Sequence, residues 1–146
     1  MYNGLVHAHS GLRWIFLAAI IIAVVVYGLR LLKGSNFKAS DKKWALIAMI
    51  FAHIQLLIGL VLYFISPEVV FNENTMSDSR LRFYAVEHIS VMIIGIILIT
   101  LAYRKVKTAL SQQKGYAGPF WFLLIGLLLI LSRIPWPGQG LGAAWF

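Results

Sequence analysis

The chain contains no cysteine. That absence excludes disulfides, iron–sulfur clusters, thiolate-ligated haem and covalent attachment of haem through paired thiols. Acidic residues are scarce, with 5 Asp and Glu against 13 Lys and Arg. No carboxylate pair, phosphate-binding loop or nucleophile–base pair for hydrolytic chemistry is evident. Charged residues of both signs make up 12% of the 146 positions. That is too few to cover the surface of a soluble domain of this size. No internal repeat is evident, and there is no room for a second domain. The first residues, MYNGLVHAHSGLRW, carry no basic stretch ahead of the apolar run and no convincing cleavage site, so they are read as structure.

What is present in abundance is apolar sequence: 60% of the residues are hydrophobic, and the mean hydropathy is +0.82. The apolar stretches predict spans over roughly 12–32, 44–65, 81–103 and 117–134, and a membrane helix needs about 20 such residues. The expected architecture is all-α, an integral membrane four-helix bundle in a lipid bilayer. Ser40 or Asp41 is a candidate cap for the second helix and Ser77 or Asp78 for the third. Ser66-Pro67 closes the second helix, and Pro135 and Pro137 end the fourth. The tail, 135–146, is expected to lie along the interface.

The net charge of +8 does not point to nucleic acid, because the cations cluster between apolar runs. Arg30, Lys33, Lys38, Lys42 and Lys43 lie in or beside the first connection; Arg104, Lys105, Lys107 and Lys114 surround the third. The positive-inside rule places both connections in the cytoplasm and both termini outside.

Against this background the ionisable residues inside the spans carry the functional signal, because each is costly in hydrocarbon. His88 follows Glu87 in the third span. Helical spacing puts His88 on a stripe with Ala85, Gly95, Ile99 and Ala102, and small residues mark close-packing faces in membranes. On the first helix His9, Arg13, Phe16, Ile20 and Tyr27 share a stripe; on the fourth, Gly126 and Arg133 do. The second helix carries a small face of Ala45, Ala48, Ala52, Gln55, Gly59 and Tyr63, and His53 falls roughly 120° from its centre.

Histidines on three helices suggest haem b held by neutral imidazoles. His88 with His53 is the first pair, although a depth difference of about 8 Å stands against it; His88 with His9 is the second. Arg13 and Arg133 are candidate partners for haem propionates. A quinone hydrogen-bonded by histidine and arginine is compatible with this reading. A copper or zinc site from His7, His9 and His88, with Glu87, is an alternative. A further alternative is an accessory subunit of a larger membrane complex or a homo-oligomer. There the histidines would make helix contacts and Glu87 would pair with Arg80, Arg82 or an arginine of another helix.

The runs HAHSGLRW (7–14), FAHIQLLIGLVLYFISP (51–67), RFYAVEHISVMIIGI (82–96) and RIPWP (133–137) resemble a family of small bacterial four-span membrane proteins commonly labelled "cytochrome B". The resemblance covers nearly the whole chain. It implies a bacterial inner-membrane location and places His9, His53 and His88 in the defining motifs. The chain also looks loosely like copper-resistance D-type membrane proteins. It departs from four-helix di-haem cytochromes in having no histidine on its last helix. The leading expectation is a b-type haem protein that moves electrons within the membrane, with a quinone or a redox protein as partner.

Overall fold

The computed structural model describes residues 1–141. It contains helix α1 (Tyr2–Leu32), α2 (Lys42–Ile65), α3 (Ser79–Ser111) and α4 (Ala117–Ser132). Among the described residues there is no strand, only one isolated antiparallel bridge between Asn36 and Gly115. Helices α1, α2 and α3 are long and apolar enough to cross a membrane, and the 16-residue α4 is a shorter apolar helix. The expected tail is described only as far as Leu141; residues 142–146 lie outside the described residues.

Adjacent helices pack in the order α1, α2, α3, α4 and back to α1, which leaves α1 and α3 on a diagonal. The interior is lined by small residues where helices approach closely: Ala23, Ala45, Ala48, Ala52 and Ala102 are buried. A Cβ on Gly126 would stand 3.2 Å from the Gly95 carbonyl oxygen, so α3 and α4 touch nearly backbone to backbone. Large aliphatic side chains point outward instead, among them Ile21, Val25, Leu57, Val61, Ile97 and Leu128. Small inside and large outside is the reverse of a soluble core; it is the arrangement of helices whose outer faces meet lipid.

Local chemistry sets the boundaries. The residue before Pro67 is forced out of the helical region, and Ser66 is extended with ψ 132°. The Asp78 carboxylate accepts from the Arg80 and Leu81 amides at 2.8 and 2.9 Å and so caps α3. Asp41 was the other expected cap, but its side chain makes no capping bond. Its carboxylate accepts from Arg30 Nε at 3.1 Å and Tyr116 OH at 2.7 Å instead. Those two donors outcompete the backbone because one is charged and both are fixed by neighbouring helices.

One irregularity lies directly before a candidate residue. Residues Phe83–Glu87 of α3 form a π-helical turn, and His88 begins the regular α-helix directly after it. Such turns insert an extra residue into the helical register and are frequent at functional sites.

Candidate functional site

The ends of the bundle differ, and the site lies at the end that gathers the start of α1, the end of α2, the start of α3 and residues 133–141. Tyr2 OH meets Ser66 Oγ at 3.1 Å there, and Tyr84 OH donates to the Leu141 carbonyl at 2.9 Å. Between the helices is a cavity of about 340 Å³, at the lower end of the range for small-molecule sites. Its apolar lining includes Phe16, Leu56, Met92, Ile96 and Ile130; its polar lining includes His9, Arg13, Gln55 and His88.

His88 reaches the cavity from α3. Its Nδ1 lies 2.7 Å from the Arg133 carbonyl oxygen. A carbonyl only accepts, so Nδ1 carries the proton and the neutral ring keeps its lone pair on Nε2. A backbone carbonyl that fixes the tautomer in this way is the usual support of a metal-ligating imidazole.

His9 comes from α1, on the diagonal. A Cβ on Gly59 would stand 3.2 Å from His9 Cε1, so the ring lies close against α2 where a larger residue would press on it. The His9 backbone carbonyl accepts from Gln55 Nε2 at 2.9 Å. Two buried side-chain atoms beside this bond have no hydrogen-bond partner: His9 Nδ1 and Gln55 Oε1. A buried polar atom left unpaired costs about 1–3 kcal/mol, so two together in the wall of a cavity mark this place as the candidate site. Arg13 is buried beside them, with its guanidinium 5.3 Å from the Trp14 ring and 6.0 Å from the Trp136 ring.

The structure does not bring the other candidates into this constellation. His53 is exposed on the outside of α2 and lines a separate groove, with Nδ1 2.8 Å from the Met49 carbonyl of its own helix. The small face of α2 turns inward, so the roughly 120° offset carries His53 away from His88. That groove runs beside residues 93–104 of α3; even Ile93 is about 7 Å inward of His88 along the helix. The pair His88 and His53 therefore shares no cavity. Arg133 is also turned elsewhere: its Nε is 3.5 Å from Glu87 Oε2 and its Nη1 donates to the Ser132 carbonyl. Glu87 is held between Arg133 and Arg82, whose Nε lies 2.8 Å away. This is one of the ion pairings expected for Glu87, and it occupies the carboxylate. His7 lines the cavity, but among the described residues no three His, Asp or Glu side chains come together as a metal site.

The residues that sequence reading passed over are Gln55 and Gly59. Both were placed on the small face of α2, where packing was the expected role. The signal that distinguishes Gln55 was its amide, which a close-packed membrane face does not require.

No family model matches the chain, and no curated protein or solved structure does.

Proposed function

We propose that the chain is a four-pass bacterial inner-membrane protein that holds one b-type haem between His9 and His88. One observation carries this reading: two imidazoles from diagonally opposed helices face a single cavity, and the tautomer of His88 is set so that Nε2 is the free nitrogen. Four-helix bundles build cofactor sites from side chains on facing helices in this way. The donor set suits the group: the neutral imidazoles of His9 and His88 would hold the iron, and Arg13 at the same cavity would pair with a propionate. A His9 that gives Nε2 to iron carries its proton on Nδ1. That nitrogen has no hydrogen-bond partner in the fold, while Gln55, whose Nε2 donates to the His9 carbonyl at 2.9 Å, holds the backbone of α1 at this position. Bound there, haem supplies one-electron transfer between membrane partners.

The basic connections argue for a cytoplasmic location of residues 33–43 and 104–114, and for both termini outside. A reporter fused after Phe146 is expected to be active only on the periplasmic side.

Protein purified from haem-replete cells should show a Soret band that shifts on reduction. His88→Ala and His9→Ala should each lose the low-spin spectrum, while His53→Ala keeps it. A colourless preparation overturns the proposal, and metal analysis of that same sample then tests copper and zinc.

A further inference from the structure

The groove on the outside of the bundle is lined by a histidine with one ring nitrogen unused and by an arginine with no ion pair among the described residues. It measures about 230 Å³ and is lined by His53 and Leu56 of α2 and by Ile93, Ile96, Ile97, Thr100, Leu101 and Arg104 of α3. His53, Ile93, Ile97 and Arg104 are exposed, so the groove opens on the face that meets lipid. Because the Met49 carbonyl accepts from His53 Nδ1, the remaining nitrogen, Nε2, is a bare acceptor in the neutral ring. Among the described residues Nε2 has no partner, and neither does the Arg104 guanidinium. Thr100 is already committed, donating to the Ile96 carbonyl at 2.8 Å. An imidazole facing hydrocarbon is expensive, and the lipid chains that would otherwise cover it offer no hydrogen bond.

We propose that this groove binds a lipid-soluble hydroquinone, with one ring hydroxyl donating to His53 Nε2 and an oxygen accepting from Arg104. The chemistry of the two groups selects the ligand. It must reach the groove from the bilayer, donate a hydrogen bond within the apolar layer, and offer an acceptor to a guanidinium. A phospholipid provides an anion for Arg104, but its headgroup donors stay with that anion at the interface, and the acyl chains that reach His53, 11 residues into α2 from Lys42, have none. A hydroquinone provides both. The site is separate from the cavity of His9 and His88, yet Leu56 and Ile96 line both. A single layer of side chains therefore divides the two. Binding in the groove does not depend on the haem reading, although the shared wall gives it a redox purpose.

The test is anaerobic calorimetric titration of the full chain in nanodiscs with a short-chain hydroquinone. The dimethyl ether of the same compound, which has no hydroxyl donor, is the comparison. The hydroquinone should bind, and the ether should bind about tenfold more weakly, the equivalent of one hydrogen bond. His53→Phe should weaken the hydroquinone by about the same factor, and His53→Gln, which keeps an acceptor, should recover part of the loss. Ile97→Trp fills the groove from the neighbouring helix and should exclude the probe even if His53→Phe does not fold. The proposal is overturned if wild type does not bind, or if the ether binds equally well. It is also overturned if His9→Phe abolishes binding, which would place the ligand in the other cavity. Displacement by an anionic phospholipid with the same dependence on His53 overturns the ligand class. The Soret absorbance of the same samples reads the haem separately, so either proposal can fail alone.

Discussion

The two ends of the bundle are built on opposite principles. At the end near Asp41, no buried side-chain polar atom among the described residues lacks a partner. Tyr27 OH donates to the Asp41 carbonyl at 3.1 Å, Tyr116 OH donates to the Asp41 carboxylate, and the Lys38 amide donates to Tyr116 OH at 3.0 Å. The rings of Tyr27, Phe37 and Tyr116 fill the space between, with centroids 4.4–5.5 Å apart. The Phe37 amide donates to the Lys114 carbonyl at 2.9 Å, so the two short connections are tied to each other. Burial, with the Asp41 hydrogen bond adding to it, pushes the Tyr116 hydroxyl above the ordinary tyrosine range and keeps it a donor at neutral pH. At the opposite end the helices enclose a cavity, and His9 Nδ1 and Gln55 Oε1 lie unpaired in its wall. One end is closed by satisfied polar contacts and aromatic packing; the other leaves polar valence open in an apolar setting. The satisfied polar contacts and the candidate site thus lie at different ends of the same four helices.

Substitutions at the two ends should therefore move stability in different directions. The largest effect is expected at Asp41. Asp41→Ala leaves Arg30 and Tyr116 without their shared acceptor. It should cost about 3 kcal/mol, the low end for a broken buried pair because Arg30 is one-third exposed. Thermal unfolding in detergent measures this, and an unchanged midpoint would deny that the closed end stabilises the bundle. The waist between the ends comes next. A Cβ on Gly95 would stand 2.7 Å from Ile130 Cγ1, so Gly95→Ala should cost about 2 kcal/mol by overpacking. Adding Ile130→Val should recover part of that loss, and a double-mutant cycle showing strict additivity would mean that the contact is not made. The smallest effect, and the most telling, is at the hollow end. His9→Phe removes an unpaired buried atom and adds apolar volume to a cavity, so stability should stay within about 0.5 kcal/mol of wild type or rise. The same variant should lose the Soret band. A large fall in stability instead would show that His9 holds the fold and not a ligand.

Much of this contrast was legible in the chain. The stripe of Ala85, His88, Gly95, Ile99 and Ala102 faces the interior, as helical spacing requires, and so does that of Arg13, Phe16, Ile20 and Tyr27. The same geometry, read strictly, had already turned His53 away from the interior by its offset. His53 qualifies as a ligand by residue type, but its direction takes it to the outside of α2. The polar contacts were less accessible. Asp41 is the lone acid among the cations of the first connection, which reads as a helix cap. Only the approach of Tyr116, 75 residues later, makes it the centre of a latch. Gln55 likewise reads as packing until the His9 carbonyl, 46 residues away, is seen to hold its amide nitrogen. Local sequence reports the periodicity of one helix; it does not report which atom of another helix satisfies a given donor.

Composition and periodicity by themselves determined that the chain is helical, that three stretches are long and apolar enough to cross a bilayer, and which face of each helix turns inward. Those properties follow from transfer energies and from 3.6 residues per turn, both of which act locally. The tertiary structure alone decided that α1 and α3 stand on a diagonal, so that His9 and not His53 shares a cavity with His88. It also decided that the Arg133 carbonyl fixes the His88 tautomer and that one end of the bundle is filled while the other is hollow. Those outcomes depend on distances between residues far apart in the chain, and no local energy term sets them.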